Sequence, residues 1–170
     1  MLFSIKKLSV DDGIDVFNML QQIPNGENGF MNDVEGLSFD EYKNWLTEND
    51  MCSRQVGIKD GWKVPQTIFW LMVDGNPIGM GKLRHFLTDR LLEEGGTIGY
   101  AIIPSERSKG YGKVFVRELL KEAQKLSIGK VLFTISNHNI ASVKIALANG
   151  GVLEKTTDAK HYIWAESLSA

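Results

Sequence analysis

The sequence predicts a single domain of mixed α/β (α+β) class that takes in residues 1–170. Segments in which apolar and polar residues alternate, typical of strands, are interspersed with segments whose apolar residues recur every three or four positions, typical of helices. No linker rich in proline, glycine or serine divides the chain, and no internal repeat is visible. With 43% hydrophobic and 24% charged residues, the composition is that of a soluble globular protein with one core.

The first half of the chain predicts a strand, two helices and a hairpin. The strand is LFSIKKL, the helices are VDDGIDVFNMLQQI and FDEYKNWLTEN, and the hairpin joins TIFWLMV to PIGMGKLRHF. Ser9 with Asp12, and Ser38 with Glu41, resemble capping boxes that begin the two helices. Asp74-Gly75 favours the hairpin, because its turn requires positive φ angles. A loop rich in glycine and asparagine separates the helices.

The second half predicts a connector followed by alternating strands and helices. In chain order these are the connector TDRLLEEGG, the strand TIGYAII, the helix KVFVRELLKEAQKL, the strand KVLFTIS, the helix NIASVKIALANGG, and the strands GGVLEKT and AKHYIWAE. The longer helix places four apolar residues on one face, Val116, Leu119, Leu120 and Ala123. A glycine pair ends the shorter one.

Composition excludes several classes of partner and chemistry. A net charge of -2 and a pI near 5.9 give no bulk attraction for nucleic acid. The single cysteine, Cys52, excludes an internal disulfide and a cysteine-based zinc cluster. MLFSIKKLSVDDG lacks the features of a signal peptide, and no apolar run approaches the roughly 18 residues of a membrane span. These features favour a cytoplasmic protein with no membrane partner.

The stretch PSERSKGYGK, residues 104–113, lies between a predicted strand and a predicted helix. Two glycines allow a sharp turn close to a ligand, and the free N–H groups of a helix start bind anions. Arg107, Lys109 and Lys113 would then be partners of a phosphate. The alternative is an ordinary glycine turn with solvated lysines. No Ser or Thr follows Lys113 as in a P-loop, and Phe115 replaces the third glycine of the dinucleotide fingerprint.

Arg-x-x-Gly-x-Gly, here residues 107–112, resembles the phosphate loop of the GNAT superfamily of N-acetyltransferases. The resemblance extends from GTIGYAII to GGVLEK, about the last half of the chain, and includes NHNIAS and Gly150-Gly151 as a second motif. The chain is most similar to a bacterial branch of predicted acetyltransferases. The resemblance implies a GNAT fold, in which helices flank a mixed central sheet and two parallel strands of that sheet splay apart.

The resemblance also implies acetyl-CoA as cosubstrate, without a metal. Main-chain groups near Ile102 and Ile103 would pair with the pantetheine arm, in the manner of an added strand. The residues that would surround the pyrophosphate are Arg107, Ser108, Lys109, Gly110, Tyr111, Gly112 and Lys113. Asn139 would cap its helix in any case and would also reach the pantetheine arm. Ser142 and Lys144 would contact the coenzyme or lie on a solvated helix face.

The implied reaction is direct transfer of an acetyl group to a primary amine, which must first lose a proton. Glu94 and His85 are the candidate bases. Glu94 would share a strand face with the family's glutamate if the strand extended that far, whereas LLEEGG would otherwise be a solvated connector. His85 would otherwise be an ordinary strand residue. Ala146 stands where many members carry the tyrosine that protonates the thiolate. Another group or water would therefore protonate the thiolate, or the thiolate would leave unaided.

Three further sequence features bear on the chemistry. Gly151 replaces the phenylalanine usual in the second motif, Tyr162 is more typical of a core aromatic than of an acceptor contact, and Cys52 has no neighbouring histidine, which argues against covalent catalysis. The acceptor, a small molecule or a peptide amine, is not indicated by the sequence.

The first half of the chain corresponds to the family's acceptor side. Its aromatic residues are Phe30, Phe39, Tyr42, Trp45 and Trp62, of which most are expected in the core. The acidic stretch NDVEGLSFDE would suit a cationic amine, or would simply be solvated. A non-catalytic acetyl-CoA sensor and a pure interaction module are the alternative functions, and a homodimer is compatible with the sequence.

Overall fold

The computed structural model describes residues 2–55 and 63–170. Trp62, one of the predicted acceptor-side aromatics, lies outside the described residues. The described chain forms seven strands and five α-helices. In chain order they are β1 (Phe3–Lys7), α1 (Ile14–Leu20), α2 (Phe39–Ser53), β2 (Gln66–Val73), β3 (Asn76–Arg84), α3 (Asp89–Glu93), β4 (Ile98–Ile102), α4 (Tyr111–Lys125), β5 (Lys130–Ser136), α5 (Ile140–Ala148), β6 (Val152–Thr156) and β7 (Lys160–Glu166). Short 3-10 turns lie at Glu27–Gly29 and Pro104–Glu106.

The strands form two sheets. The first has the antiparallel order β1-β2-β3-β4 and the second the antiparallel order β5-β7-β6. Asp74 and Gly75 both have positive φ, 49° and 83°, so the predicted hairpin turn is confirmed.

β4 and β5 are the neighbouring edges of the two sheets. Their main chains are joined where Thr97 N–H donates to Leu132 O at 2.8 Å, and Leu132 N–H donates to the Thr97 hydroxyl at 2.9 Å. Beyond this link the strands belong to separate sheets. We call the space between them the strand gap. Its closed end is at Thr97, and its open end lies beside the segment that follows Ile102. The predicted splay is confirmed.

Helices and loops cover the sheets on two sides. α4 and α5 lie on the side that we call the back face, whereas α1 and α2 cover the other side, the front face. A Cβ at Gly81 would lie 2.8 Å from Phe115 Cζ, so this glycine lets α4 approach β3 closely. The predicted apolar face of α4 is fully buried, since Val116, Leu119, Leu120 and Ala123 are all 0% exposed.

The first predicted capping box is wrong, whereas the second is confirmed. α1 begins only at Ile14, with Gly13 as its N-cap. Asp12 is buried and accepts hydrogen bonds from Ser9 N–H at 2.8 Å and Trp70 Nε1 at 2.7 Å. The buried Asp12 carboxylate therefore binds Trp70 on β2 and does not cap the helix. Ser38 and Glu41 form both bonds of their box.

The predicted connector contains a short helix that the sequence analysis missed. α3 begins after Thr88, whose hydroxyl accepts from Leu91 N–H at 3.2 Å. It contacts β5 on the front face, and Leu91 is fully buried. Gly95 and Gly96, with φ of 105° and 63°, then turn the chain sharply into β4. A Cβ at Gly96 would lie only 2.5 Å from Leu132 O, so the close approach of β4 to β5 requires glycine there.

Candidate functional site

The loop of residues 107–113 lies at the open end of the strand gap and leads into α4. Gly110 is the N-cap of α4 with a φ of 87°, and no side chain caps the helix. Within the described residues, the main-chain N–H groups from Ser108 to Lys113 have no protein acceptor. Ser108 also has a positive φ, 62°. The loop therefore presents a row of free donors at the positive end of a helix, which is the arrangement that binds phosphate.

Arg107 holds the loop against its neighbours. Its Nε donates to Ile102 O at 2.9 Å, and its Nη2 lies 2.6 Å from Glu27 Oε1. Glu27 belongs to the front-face loop, so this ion pair joins the two sides of the molecule. The sequence analysis missed Glu27, because nothing in the local pattern links two residues so far apart. A phosphate that used the Arg107 guanidinium would compete with Glu27.

The lysines of the loop differ from each other. Lys109 Nζ lies 2.9 Å from Glu106 Oε2, and this hydrogen bond raises the pKa of the Lys109 ammonium. Lys113 is exposed and has no ion-pair partner in the described parts of the chain. Lys144 is also exposed, one turn into α5. Lys113 therefore has the free ammonium closest in sequence to the helix start, whereas Lys109 must leave Glu106 to bind a phosphate.

The inner edge of β4 presents main-chain groups to the strand gap. β3 pairs with β4 through alternate residues, and Ile103 N–H donates to Ile78 O at 2.9 Å. Main-chain groups alternate in direction along an antiparallel strand, so those of Tyr100 and Ile102 point away from β3, towards the gap. Of the two predicted contacts, Ile102 thus offers its N–H to the gap, whereas the N–H of Ile103 is already used in the sheet.

A polar network joins β4 to the start of α5. Tyr100 Oη and Ser142 Oγ are 3.1 Å apart, and Asn139 Nδ2 donates to the same Ser142 oxygen at 3.1 Å. Asn139 Oδ1 also accepts from Ser142 N–H at 3.4 Å, so its predicted role as a helix cap is confirmed. Burial raises the pKa of Tyr100. The sequence analysis missed Tyr100, which looked like an ordinary strand aromatic.

Gly112 and Ala146 allow α4 and α5 to pack closely. A Cβ at Gly112 would lie 2.7 Å from Ile145 Cδ1, so this second glycine of the loop motif also serves helix packing. Ala146 is only 1% exposed. A Cβ at Gly151 would lie 2.6 Å from Ala146 O, which explains why this position carries no phenylalanine. Tyr111, the residue between the two glycines, is buried in the core.

The two candidate bases occupy different surroundings. β4 begins at Ile98, so the strand extension that would have placed Glu94 on its face does not exist. The glycine turn at residues 95–96 interrupts it, and Glu94 ends α3 with its side chain 58% exposed, 3.8 Å from Lys160 Nζ. Glu94 nevertheless directly precedes the glycine turn that leads into β4.

His85 directs its ring towards β2. Its Nε2 lies 2.8 Å from Thr67 Oγ1, and burial, with Lys7 nearby, lowers the pKa of the imidazole. It lines a cavity of about 290 Å³ with Thr97 and Lys130, at the end of the strands opposite the phosphate loop. Thr67 lies on β2, so the hydrogen-bonded side of the ring faces away from the strand gap.

The acceptor-side aromatics among the described residues differ in burial. Phe39, Tyr42 and Trp45 pack against Phe17 and Trp70, with ring centroids 5.2–6.4 Å apart. Tyr42 is fully buried, Trp45 is partly buried against the core, and Phe39 is 38% exposed. Of these three, the prediction of a core residue is therefore confirmed only for Tyr42. Phe30 differs, because its ring lies on the front face of β4, 3.7 Å from an ideal Cβ at Gly99.

Tyr162 also reaches the front face. Its hydroxyl donates to Glu93 O at 2.7 Å, and Lys155 Nζ lies 4.8 Å from its ring centroid. The residue is 9% exposed, so it combines a packed ring with a hydrogen bond that fixes α3.

Two basic side chains that the sequence analysis missed extend from β3 on the front face. Lys82 is paired with Gly99 across the strands, and its Nζ donates to Met31 O at 2.5 Å. Arg84 Nη1 donates to the carbonyls of Gly95 and Gly96, at 2.9 and 3.1 Å. Lys82 and Arg84 alternate with Gly81 and Leu83 along one strand, and this alternation could have predicted that both lie on the same face.

The described residues contain neither a cluster of metal-ligating side chains nor a membrane-spanning helix. No group of three or more His, Cys, Asp or Glu side chains is arranged to hold a metal ion in residues 2–55 and 63–170. Over the same residues, no helix has the length and apolar character needed to cross a bilayer.

A family model described as Acetyltransferase (GNAT) domain matches residues 16–152, which is most of the chain. The described residues have a splayed pair of strands and a helix start with free N–H groups, as the resemblance to this family implies. The chain belongs to the GNAT acetyltransferase family. None of the curated proteins searched matches it significantly.

Solved structures with the same fold cover nearly the whole chain. A GNAT-family acetyltransferase from Streptococcus pneumoniae is 13% identical with a TM-score of 0.65, over 97% of this chain and 99% of that one. The putative acetyltransferase yncA from Salmonella typhimurium, solved with acetyl-CoA, is 10% identical with a TM-score of 0.65, over 99% and 95%. Aminoglycoside acetyltransferase AAC(6')-Ib, solved with coenzyme A, is 16% identical with a TM-score of 0.65, over 97% and 95%.

Proposed function

We propose that the protein is an acetyl-CoA-dependent N-acetyltransferase that acetylates a primary amine by direct transfer. The observation that carries the proposal is the row of free N–H groups at residues 108–113 beside the open end of the strand gap. Family membership supports it, as do similar structures that hold acetyl-CoA or coenzyme A. A helix start for phosphates and a gap for an extended arm fit the two parts of that coenzyme.

The coenzyme would enter with its pyrophosphate on the loop and its pantetheine arm in the strand gap. Lys113 and the loop N–H groups would bind the phosphates, with Arg107 contributing once it leaves Glu27. The N–H of Ile102 and the main chain of Tyr100 would pair with pantetheine amides. Because the arm enters at the open end, the thioester would lie towards the closed end, near Gly99 and the front face.

The transfer itself would need an N–H donor for the oxyanion and a proton for the thiolate, besides a base for the amine. The amine nitrogen attacks the thioester carbonyl carbon, and a main-chain N–H of β4 stabilises the resulting oxyanion. The C–S bond then breaks, and coenzyme A leaves as a thiolate. We propose the hydroxyls of Tyr100 and Ser142, which lie 3.1 Å apart, as the source of the proton that the thiolate takes up, in place of the tyrosine missing at Ala146.

The amine must lose a proton before or during attack. We propose Glu94 as the base, acting through water because it is exposed and lies on the turn into β4. Its contribution would lie in accepting a hydrogen bond from the water that carries the proton and so positioning that water. His85 is the second candidate, although its Nε2 is engaged with Thr67.

Calorimetric titration with coenzyme A tests the first half of the proposal, and turnover of acetyl-CoA against a panel of amines tests the second. We expect binding with 1:1 stoichiometry and release of free thiol that depends on an amine. Absence of coenzyme binding would contradict the proposal. Binding without turnover of any amine would favour the alternative of a non-catalytic acetyl-CoA sensor.

A further inference from the structure

The acceptor side of the molecule carries two basic side chains without an acidic partner. Lys82 Nζ bonds only a carbonyl, Met31 O, and Arg84 Nη1 bonds only the carbonyls of Gly95 and Gly96. No carboxylate of the described residues lies within 4.0 Å of either group. Charges removed from water are normally paired, because an uncompensated charge costs free energy. Two neighbouring unpaired cations therefore indicate that an anion binds between them.

The position of these cations relates them to the reacting atoms. Lys82 is paired with Gly99 and Arg84 lies opposite Thr97, so both flank the closed end of the strand gap. Their side chains lie on the front face, since Gly79 and Gly81, which alternate with them, face Phe115 on the back. The proposed coenzyme approaches from the loop at the other end, so a group held by Lys82 and Arg84 would belong to the acceptor.

Both cations retain donors for a ligand. Within the described residues, Arg84 Nε and Nη2 have no acceptor, and neither is sealed from solvent, because Gln55 Oε1 is the one buried unpaired side-chain atom there. The planar guanidinium can bind a carboxylate through two parallel N–H groups. The Lys82 ammonium has two further hydrogens beyond the one given to Met31 O.

The electrostatics of Lys82 also favour a bound anion. Burial, and the neighbouring charge of Arg84, lower the pKa of its ammonium to about 8, whereas the exposed Asp33 acts in the opposite direction. The Phe30 ring lies beneath the ammonium, with its centroid 4.8 Å from Nζ. A bound carboxylate would offset the cost of burial and hold the lysine in its charged form.

We propose that the acceptor is an amine that carries a carboxylate close to its amino group, such as an α-amino acid, and that Lys82 and Arg84 bind this carboxylate. The inference rests on the proposed acetyl-CoA-dependent transfer. It replaces the cationic acceptor that the acidic stretch of residues 32–41 would suit, because the charges that adjoin the closed end of the gap on β3 are positive.

Three bisubstrate probes test the inference without a known acceptor. Each is a coenzyme A thioether whose sulfur carries CH2-CO-NH-CH2 followed by a carboxylate, a carboxamide or a methylene-ammonium group. Calorimetry with the full chain should show the carboxylate probe binding about 10- to 100-fold more tightly than the carboxamide probe, as a charge-assisted hydrogen bond predicts. Equal affinity, or tightest binding of the ammonium probe, would overturn the inference.

Variants of Lys82 test whether this residue causes the preference for the carboxylate probe over the carboxamide probe. Lys82→Met should remove most of it, and Lys82→Arg should retain it, while the affinity for coenzyme A itself stays unchanged in both. Lys121→Met, on α4 at the back of the molecule, is the matched loss of a lysine charge and should leave the preference intact. A preference that persists in Lys82→Met would overturn the role of Lys82. Calorimetry with coenzyme A alone separates failure of this inference from failure of the proposed function. If coenzyme A does not bind the wild-type chain, the proposed function itself is contradicted.

Discussion

The proposed coenzyme side and the proposed acceptor side of the molecule are built in different ways. At the loop of residues 107–113 and along β4, the groups directed at a ligand are mostly main-chain N–H groups, fixed by a helix start and a strand edge. On the front face they are side chains, Lys82, Arg84 and Glu94, held by carbonyls and by one distant ion-pair partner. Main-chain sites depend on fold and glycine placement, whereas side-chain sites depend on residue identity.

The largest expected effect is that of Glu94 on the acceptor side. If Glu94 is the base, Glu94→Gln should lower kcat by roughly 10²–10⁴-fold with little change in coenzyme affinity, which is the usual effect of a positioned base. The defect should shrink as pH rises, because more of the amine is then already deprotonated. Steady-state rates between pH 6 and 10, with the Kd for coenzyme A, measure both.

Two controls limit the interpretation of Glu94→Gln. Glu93→Gln removes the adjacent carboxylate and should have wild-type rates, since only the carbonyl of Glu93 is used, by Tyr162. His85→Ala tests the second candidate base. Wild-type rates of Glu94→Gln at every pH would show that its carboxylate is merely solvated. Loss of activity in His85→Ala alone would transfer the role to His85.

The coenzyme side should be most sensitive to charge at Gly110. Gly110→Asp places a carboxylate where phosphates would lie, and should weaken coenzyme A binding by roughly 10²-fold or more, the scale of a lost charged hydrogen bond with added repulsion. Gly110→Asn is the matched control, because asparagine has nearly the same size and tolerates the φ of 87° without the charge.

Calorimetry with coenzyme A and a thermal unfolding curve would separate the two effects. Both variants should unfold within a few degrees of each other, and only Gly110→Asp should lose coenzyme affinity. Equal affinity of the two variants would show that no phosphate approaches the loop at Gly110.

The sequence predicted the local structure around the loop of residues 107–113 far better than the contacts of the front face. Arg107, Gly110 and Gly112 are close together in sequence, and local rules relate such residues to a turn and a helix start. The same rules predicted the Ser38 box and the Asp74-Gly75 turn. They failed at Asp12, where tertiary burial against Trp70 decides what the carboxylate binds.

The acceptor side arises from contacts between distant segments. Glu27 meets Arg107, and Met31 meets Lys82, across 80 and 51 positions of the chain respectively. The glycine turn at residues 95–96 determined that β4 begins only at Ile98, and thereby the surroundings of Glu94. Neither periodicity nor a short motif contains such information, so the side chains brought together on the front face were only partly predicted.

The closed end of the strand gap should depend on Gly96. Gly96→Ala would place a Cβ 2.5 Å from Leu132 O at a φ of 63°, and should lower the free energy of unfolding by about 1–3 kcal/mol. Gly129→Ala is the control, because nothing lies within 4 Å of its Cβ position, and its stability should be unchanged or slightly raised. Urea denaturation measures both, and equal stabilities would contradict the close approach of the two strands.

The smallest expected effect concerns the ion pair that joins the two sides. Arg107 Nη2 and Glu27 Oε1 are both partly exposed, so their pair is worth about 0–1 kcal/mol. If a phosphate takes over the guanidinium, Glu27→Gln frees Arg107 beforehand and should tighten coenzyme A binding by up to about fivefold. Arg107→Met should weaken it, and the two substitutions combined should bind like Arg107→Met alone, because Glu27 would act only through Arg107. Calorimetry of the three variants at low salt tests this, since screening reduces exposed pairs. Weaker binding by Glu27→Gln would mean instead that the ion pair holds the loop in its binding conformation, and that Arg107 positions the main-chain donors without contacting the phosphates.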